Sequence, residues 1–168
     1  MQEIDAFYPC YNQKESLNFV LENYRKIYKN STIKLICDGG LDYSEEAVKY
    51  NCLYEYKEKI NSVGIQKYNN PKFLLEWCIR FFNSIKHFKN NYFIKLEDDV
   101  YIIKKTDISN LQYDINGYNP DMIFPDSVKF DILKNNPTCK NFSWGGCGGS
   151  IFKTSFFNNI YENEIDIE

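Results

Sequence analysis

Tyr92-Phe93-Ile94-Lys95-Leu96-Glu97-Asp98-Asp99-Val100-Tyr101 is the stretch on which the fold turns. A mostly apolar run with strand character ends in three consecutive carboxylates, and apolar residues resume from Val100 to Ile103. Neighbouring anions repel one another by about 4 kcal/mol per pair at a separation of about 4 Å and an effective dielectric near 20. A positive partner is therefore expected. A hard divalent cation, Mg2+ or Mn2+, fits best, because such ions take oxygen ligands, typically one or two carboxylates with substrate phosphates and water. The plainer alternative is a solvated acidic turn closing a hairpin.

Working back from Tyr92, the chain alternates helix and strand. Asn70-Pro71 opens the longest helix, since proline is tolerated in a first turn, and Phe73, Leu74, Trp77, Cys78, Phe81, Phe82, Ile85 and Phe88 form its buried stripe. Asn61 to Asn70 reads as a loop, Cys52 to Tyr56 as a third strand, and Ser44-Glu45-Glu46 as the start of a short helix reaching Tyr50. Thr32 to Cys37 reads as a second strand stopped by Asp38-Gly39-Gly40. Before it, Leu17, Val20, Leu21, Tyr24 and Tyr28 have the spacing of an amphipathic helix, with Asn12 as N-cap and Glu15 as the return half of a capping box. Ile4 to Cys10 is the first strand, with Pro9 near its end. Forward from Ile103 the alternation fades. Asp121 to Pro125 is a candidate strand, and the glycine-rich loop Ser143 to Ser150 leads into a last strand at Ile151-Phe152.

This order predicts an α/β fold, a mostly parallel central sheet flanked by helices in one compact domain spanning 1–168, with neither internal repeat nor linker. In such sheets ligands gather outside the carboxyl ends of the strands. Asn12, Asp38 and Glu97 to Asp99 follow three of those ends and should face one crevice.

The 168 residues are 43% hydrophobic and 17% aromatic, enough to fill one core, and a net charge of −3 with dispersed lysines disfavours nucleic acid as partner. No apolar run reaches the roughly 20 residues of a membrane span, and the polar N-terminus does not open a signal peptide, so the chain reads as cytoplasmic. Cys10, Cys37, Cys52, Cys78, Cys139 and Cys147 are scattered without a Cys-x-x-Cys pair. Cys10, Cys37 and Cys78 sit in apolar stretches and read as buried free thiols, although an even count leaves a disulfide-bonded form open.

Asp38 before two glycines is either a turn closing its strand or a carboxylate accepting the ring N–H of a nucleobase, with Gly39 and Gly40 allowing close approach. Asn12 is a cap or part of an anion site at a helix N-terminus. The segment Trp144-Gly145-Gly146-Cys147-Gly148-Gly149-Ser150 has more glycine than a plain turn needs, and Trp144 would stack on a sugar or pack in the core. The dinucleotide and P-loop glycine fingerprints are both missing. His87, on the long helix, has no evident link to Cys147, which argues against a thiol nucleophile.

Taken together, Tyr8-Pro9-Cys10-Tyr11-Asn12-Gln13, Asp38, Glu97-Asp98-Asp99 and the Trp-Gly-Gly-Cys-Gly-Gly segment resemble, in their order, the GT-A glycosyltransferases, the nucleotide-diphospho-sugar transferase superfamily. The resemblance implies a metal-dependent transfer of sugar from a nucleotide-diphospho-sugar, with a UDP-sugar favoured, to a hydroxyl of a glycan, protein or lipid. Glu97-Asp98-Asp99 maps onto the family's Asp-x-Asp-like element. Asp99 would ligate Mn2+ or Mg2+, with Asp98 on the ribose or sharing the metal and Glu97 a third candidate ligand. The donor site would comprise Tyr11, Asn12, Asp38, Gly39, Asp98, Trp144, Gly145 and Gly146. Residues 1–103 would form the nucleotide-binding part and 104–168 the sugar and acceptor side, shorter than is usual for the family. Inverting members need a carboxylate base near or after the glycine-rich segment; no Asp or Glu stands between Gly149 and Glu162, so no catalytic residue is assigned. The alternatives are a non-catalytic nucleotide-sugar or glycan-binding domain and, less favoured, a sugar nucleotidyltransferase.

Overall fold

Three strand–helix units, followed by a fourth strand, build most of the molecule. The computed structural model describes residues 2–57, 71–111, 114–116 and 148–164. In chain order these form β1 (Asp5–Cys10), α1 (Lys14–Ile27), β2 (Ile33–Asp38), α2 (Ser44–Lys49), β3 (Leu53–Lys57), α3 (Pro71–Ile85) and β4 (Tyr92–Lys95). A short 3-10 turn (Ile108–Asn110), β5 (Ile115–Asn116), β6 (Ile151–Lys153) and α4 (Thr154–Glu164) complete them.

The strands lie in the order β3-β2-β1-β4-β6-β5. The first four are parallel, and β6 runs antiparallel to both β4 and β5. The chain winds outward from β1 to β3 and then returns across the sheet to place β4 on the other side of β1. Strand order therefore reverses between β1 and β4, the position at which an open α/β sheet leaves a crevice at its carboxyl edge.

Both sheet faces are buried, as parallel sheets require. Ala6, Tyr8 and Cys10 of β1 point with Leu35 and Cys37 of β2 into a core closed by Leu17, Val20, Leu21 and Tyr24 of α1. Phe7, Ile36 and Phe93 point the other way, where Ile85, Phe88 and Phe152 join them and Trp77, Phe81 and Phe157 pack around them. That second core is almost wholly aromatic. Phe7 meets Phe81 edge-on at 4.9 Å, and Phe93 stacks on Phe152 at 5.0 Å.

The expected stripe of α1 is the buried one. Its start differs. The helix begins at Lys14 after Gln13, with no side-chain cap, so Asn12 and Glu15 do not form the expected capping box. At α2 the capping oxygen comes from Asp42, which accepts from both the N–H and the hydroxyl of Ser44. Leu53–Lys57 begins and ends one residue later than the third strand expected from sequence, and α4, which supplies Phe157, was not foreseen. The loop expected at Asn61 to Asn70, the strand at Asp121 to Pro125 and most of the glycine-rich loop lie outside the described residues.

The opposite edge of the sheet is held by a buried carboxylate. Asp5 accepts from the backbone N–H groups of Thr32 (2.6 Å), Lys89 (2.7 Å) and Asn90 (2.8 Å), and from Asn90 Nδ2 (2.8 Å). It thereby ties the starts of β1 and β2 to the turn entering β4.

Candidate functional site

β4 is short because its last pairings pass to backbone just beyond it. Leu96 N–H donates to Phe7 O at 2.8 Å, while Lys95 pairs with the 149–150 backbone through Gly149 N–H to Lys95 O (2.8 Å) and Lys95 N–H to Ser150 O (3.0 Å). Leu96 is buried, and the next three residues form a turn closed by Val100 N–H on Glu97 O at 3.1 Å. The acidic run thus stands immediately past the carboxyl end of β4, beside the reversal of strand order.

The three carboxylates do not share one environment. Lys95 Nζ lies 2.6 Å from Glu97 Oε1 and answers that charge. Asp98 and Asp99 are exposed. Asp98 is nevertheless aimed: the hydroxyl of Tyr8, from the neighbouring β1, donates to Asp98 Oδ1 at 2.8 Å. Burial, and then the bond to Asp98, push the Tyr8 phenol well above its ordinary pKa, so it remains a donor throughout the working pH range. On the other side of the turn, a Cβ on Gly148 would stand 2.6 Å from Val100 Cγ2 and 2.8 Å from Glu97 Oε2. Glycine is needed at 148 for the returning chain to lie against the acidic turn.

A second cluster forms where β1 and β2 end. Asp38 is the last residue of β2, and Gly39 follows with φ 77°, the left-handed region that suits glycine. A Cβ on Gly40 would fall 1.9 Å from Tyr11 O, so the two loops touch backbone to backbone. Tyr11 O also accepts from Leu41 N–H (2.8 Å) and from the Tyr43 hydroxyl (3.0 Å). Tyr11 and Asn12 are exposed just past the carboxyl end of β1.

Tyr11, Asn12, Asp38, Gly39 and the acidic turn therefore all lie at one edge of the sheet. The strands bearing Asp38 and the acidic turn are second neighbours, with β1 between them, which sets their ends roughly 10 Å apart at the ordinary strand spacing. Trp144, Gly145 and Gly146 lie outside the described residues. Among the described residues, no three His, Cys, Asp or Glu side chains converge as a metal cluster. The acidic turn still offers two adjacent, exposed oxygen donors, a set that suits Mg2+ or Mn2+ when substrate phosphate and water complete the shell. From sequence neither Tyr8 nor Lys95 is given a role, although both stand in stretches that point to the site. The one signal for Tyr8 was its place in the strand adjoining the acidic one, on the face that also carries Ala6.

No protein-family model and no curated protein matches this sequence. Its structure is similar to solved structures of glucosyl-3-phosphoglycerate synthase from Mycobacterium tuberculosis. One, in complex with Mn2+, uridine diphosphate and phosphoglyceric acid, has a TM-score of 0.57 at 10% identity over 92% of this chain and 56% of that one. Another, with Mn2+, uridine diphosphate and glucosyl-3-phosphoglycerate, has a TM-score of 0.53 at 11% identity, covering 92% and 57%. The chain spans a little over half the length of these neighbours. With its sheet order, its helices on both faces and these neighbours, the chain has the GT-A fold.

Proposed function

We propose that the protein is a metal-dependent glycosyltransferase that moves a sugar from a nucleotide-diphospho-sugar, with a UDP-sugar as the favoured donor, to a hydroxyl acceptor. The observation that carries this is the exposed pair Asp98 and Asp99 at the reversal of strand order, with Asp98 fixed by the Tyr8 hydroxyl. Structures of similar fold contain Mn2+ and uridine diphosphate, which supports the assignment.

In this proposal Asp99 and Asp98 hold Mn2+ or Mg2+. Glu97, already paired with Lys95, supports the turn instead of ligating. When bound, the cation neutralises charge on the diphosphate as the sugar departs. Asp38 accepts the ring N–H of the base, and Gly39 lets the base settle close to the backbone beside Tyr11 and Asn12, while Gly40 holds the Tyr11 loop in place. The strand spacing between Asp38 and the acidic turn is one that a nucleoside diphosphate can bridge. Residues 1–103 form the nucleotide part. The 104–168 part, through Trp144, Gly145 and Gly146, shapes the sugar and acceptor side, where a glycan, protein or lipid hydroxyl attacks. No described helix is long and apolar enough to cross a membrane.

A second reading, a domain that binds a nucleotide-sugar without turnover, is favoured by one observation: no Asp or Glu stands between Gly149 and Glu162 to act as base. Thermal unfolding with UDP and UDP-sugars, with and without Mn2+, tests the shared premise. Saturation at about 100 times Kd should raise Tm by about 5–10 °C, only with metal, and Asp99→Asn should abolish the rise. An equal rise in that variant, or none in the wild type, would overturn the metal site. Release of free sugar or of glycosylated acceptor then separates enzyme from binder.

A further inference from the structure

We infer that Cys10 and Cys37 form an oxidisable dithiol, which a hydroperoxide converts to a disulfide between β1 and β2 at the base of the crevice. The two residues are direct partners in the parallel ladder, and both side chains enter the same core. Adjacent strands lie about 4.8 Å apart, inside the about 4.4–6.8 Å Cα window of disulfides. Neither thiol is engaged elsewhere by more than a weak bond: Cys10 Sγ donates to Ile36 O at 3.4 Å, and Cys37 Sγ to Leu41 O at 3.3 Å. Cys52 and Cys78, the other described cysteines, are likewise free but lie elsewhere, just before β3 and in α3.

Buried thiols are usually inert because burial opposes the thiolate. Here each thiol answers the other. The neighbouring Cys10 thiol, with the backbone at Gly40 and the positive charge of Arg80, holds Cys37 below the ordinary thiol range despite burial, whereas Cys37 and burial push Cys10 up. Cys37 is thus the attacking sulfur and Cys10 the resolving one. The Cys37 thiolate attacks one oxygen of hydrogen peroxide; the O–O bond breaks, hydroxide leaves and is protonated to water, and Cys37 becomes a sulfenic acid. Cys10 attacks that sulfur, the S–O bond breaks, and the second water departs with the Cys10 proton. The two thiols lose two electrons and the peroxide gains them.

The position gives the bond a consequence. Cys10 precedes Tyr11, Cys37 precedes Asp38, and closing the bond removes the Cys37 contact to Leu41 in the loop that packs on Tyr11. The oxidised form therefore has a shifted crevice rim. Its effect on nucleotide rests on the function proposed above, whereas the bond itself does not.

The test is peptide mapping of the native protein after brief hydrogen peroxide treatment, quenched with N-ethylmaleimide in denaturant and digested without reductant. The expected result is a Cys10–Cys37 linked peptide, 2 Da lighter than the two thiol peptides and released by dithiothreitol. Cys10→Ser should instead leave Cys37 trapped as sulfenic or sulfinic acid. Recovery of both residues as alkylated thiols, or the same yield of linked peptide from urea-unfolded protein, would overturn the proposal. Because the readout is chemical, a protein that binds no nucleotide can still pass it.

Discussion

Tyr8 shows what one buried hydroxyl can do for an exposed carboxylate. The ring fills the core and its hydroxyl alone reaches the turn, fixing Asp98 without burying it. Removing only that hydroxyl should separate orientation from packing. Tyr8→Phe is expected to lower stability by about 0.5–1.5 kcal/mol, the net worth of one hydrogen bond, and to shrink the Mn2+-dependent Tm rise with UDP by up to about half. Urea midpoints and the paired melts check it, and an undiminished rise would show that Asp98 needs no help from Tyr8. Residue by residue, the carboxylates and the Asp38-Gly39-Gly40 stop were legible as breaks in a local pattern, whereas Tyr11 came only from the resemblance and Asn12 was read as a cap that α1 does not use. The Tyr8–Asp98 bond and the pairing of Glu97 with Lys95 were not legible. The first joins residues 90 positions apart, and the second depends on how the chain bends after Leu96.

At the scale of elements, the stripe of α1 and the first four strands could be read directly, since apolar periodicity reports burial wherever a helix or strand has one face to hide. The capping of α1 could not, because a capping box is a local preference that the path of the chain from β1 into α1 overrides. Nor could α4, whose Phe157 packs against Phe93, 64 positions earlier in the chain, as well as against nearby Phe152. Asp5 is the sharpest case. A carboxylate in the second position of an apolar run looks like a misplaced charge, yet it serves three backbone N–H groups from two distant segments. Asp5→Ala would strand those donors and should cost about 3 kcal/mol or more. Asp5→Asn, which keeps one acceptor oxygen, should cost less. Urea denaturation of both variants checks the order, and equal small losses would show that water replaces the carboxylate.

For the whole molecule, carboxylates that fasten one element to another make folding sensitive to acid. Burial pushes the Glu3 carboxyl up, but Lys105 Nζ at 2.6 Å and the Asn30 N–H bring it below its ordinary value. Glu46, also opposed by burial, is brought down by Lys14 at 2.8 Å, and Asp42 by Ser44 and Tyr54. Each binds its proton less readily folded than unfolded. Their stabilisation is complete above the unfolded carboxylate range, near about 4.5, and is lost as pH falls through it toward the lower folded values. The urea midpoint should therefore hold steady from about pH 7 to 5 and drop below about pH 4.5, and a midpoint flat to pH 3 would contradict these pairings.

The antiparallel edge has a consequence for how such a protein diversifies. β5 ends at Asn116 opposite Ile151, and Ile151 lies opposite Ile94, so the chain departs after 116 and comes back at Gly148 on the same side of the sheet as the acidic turn. The described residues that flank 117–147 thus both stand at the edge that carries the acidic turn. Changing the length or composition of 117–147 should alter what binds at that edge while the strands that bear the carboxylates keep their partners. Selection can revise the guest list here without rebuilding the house.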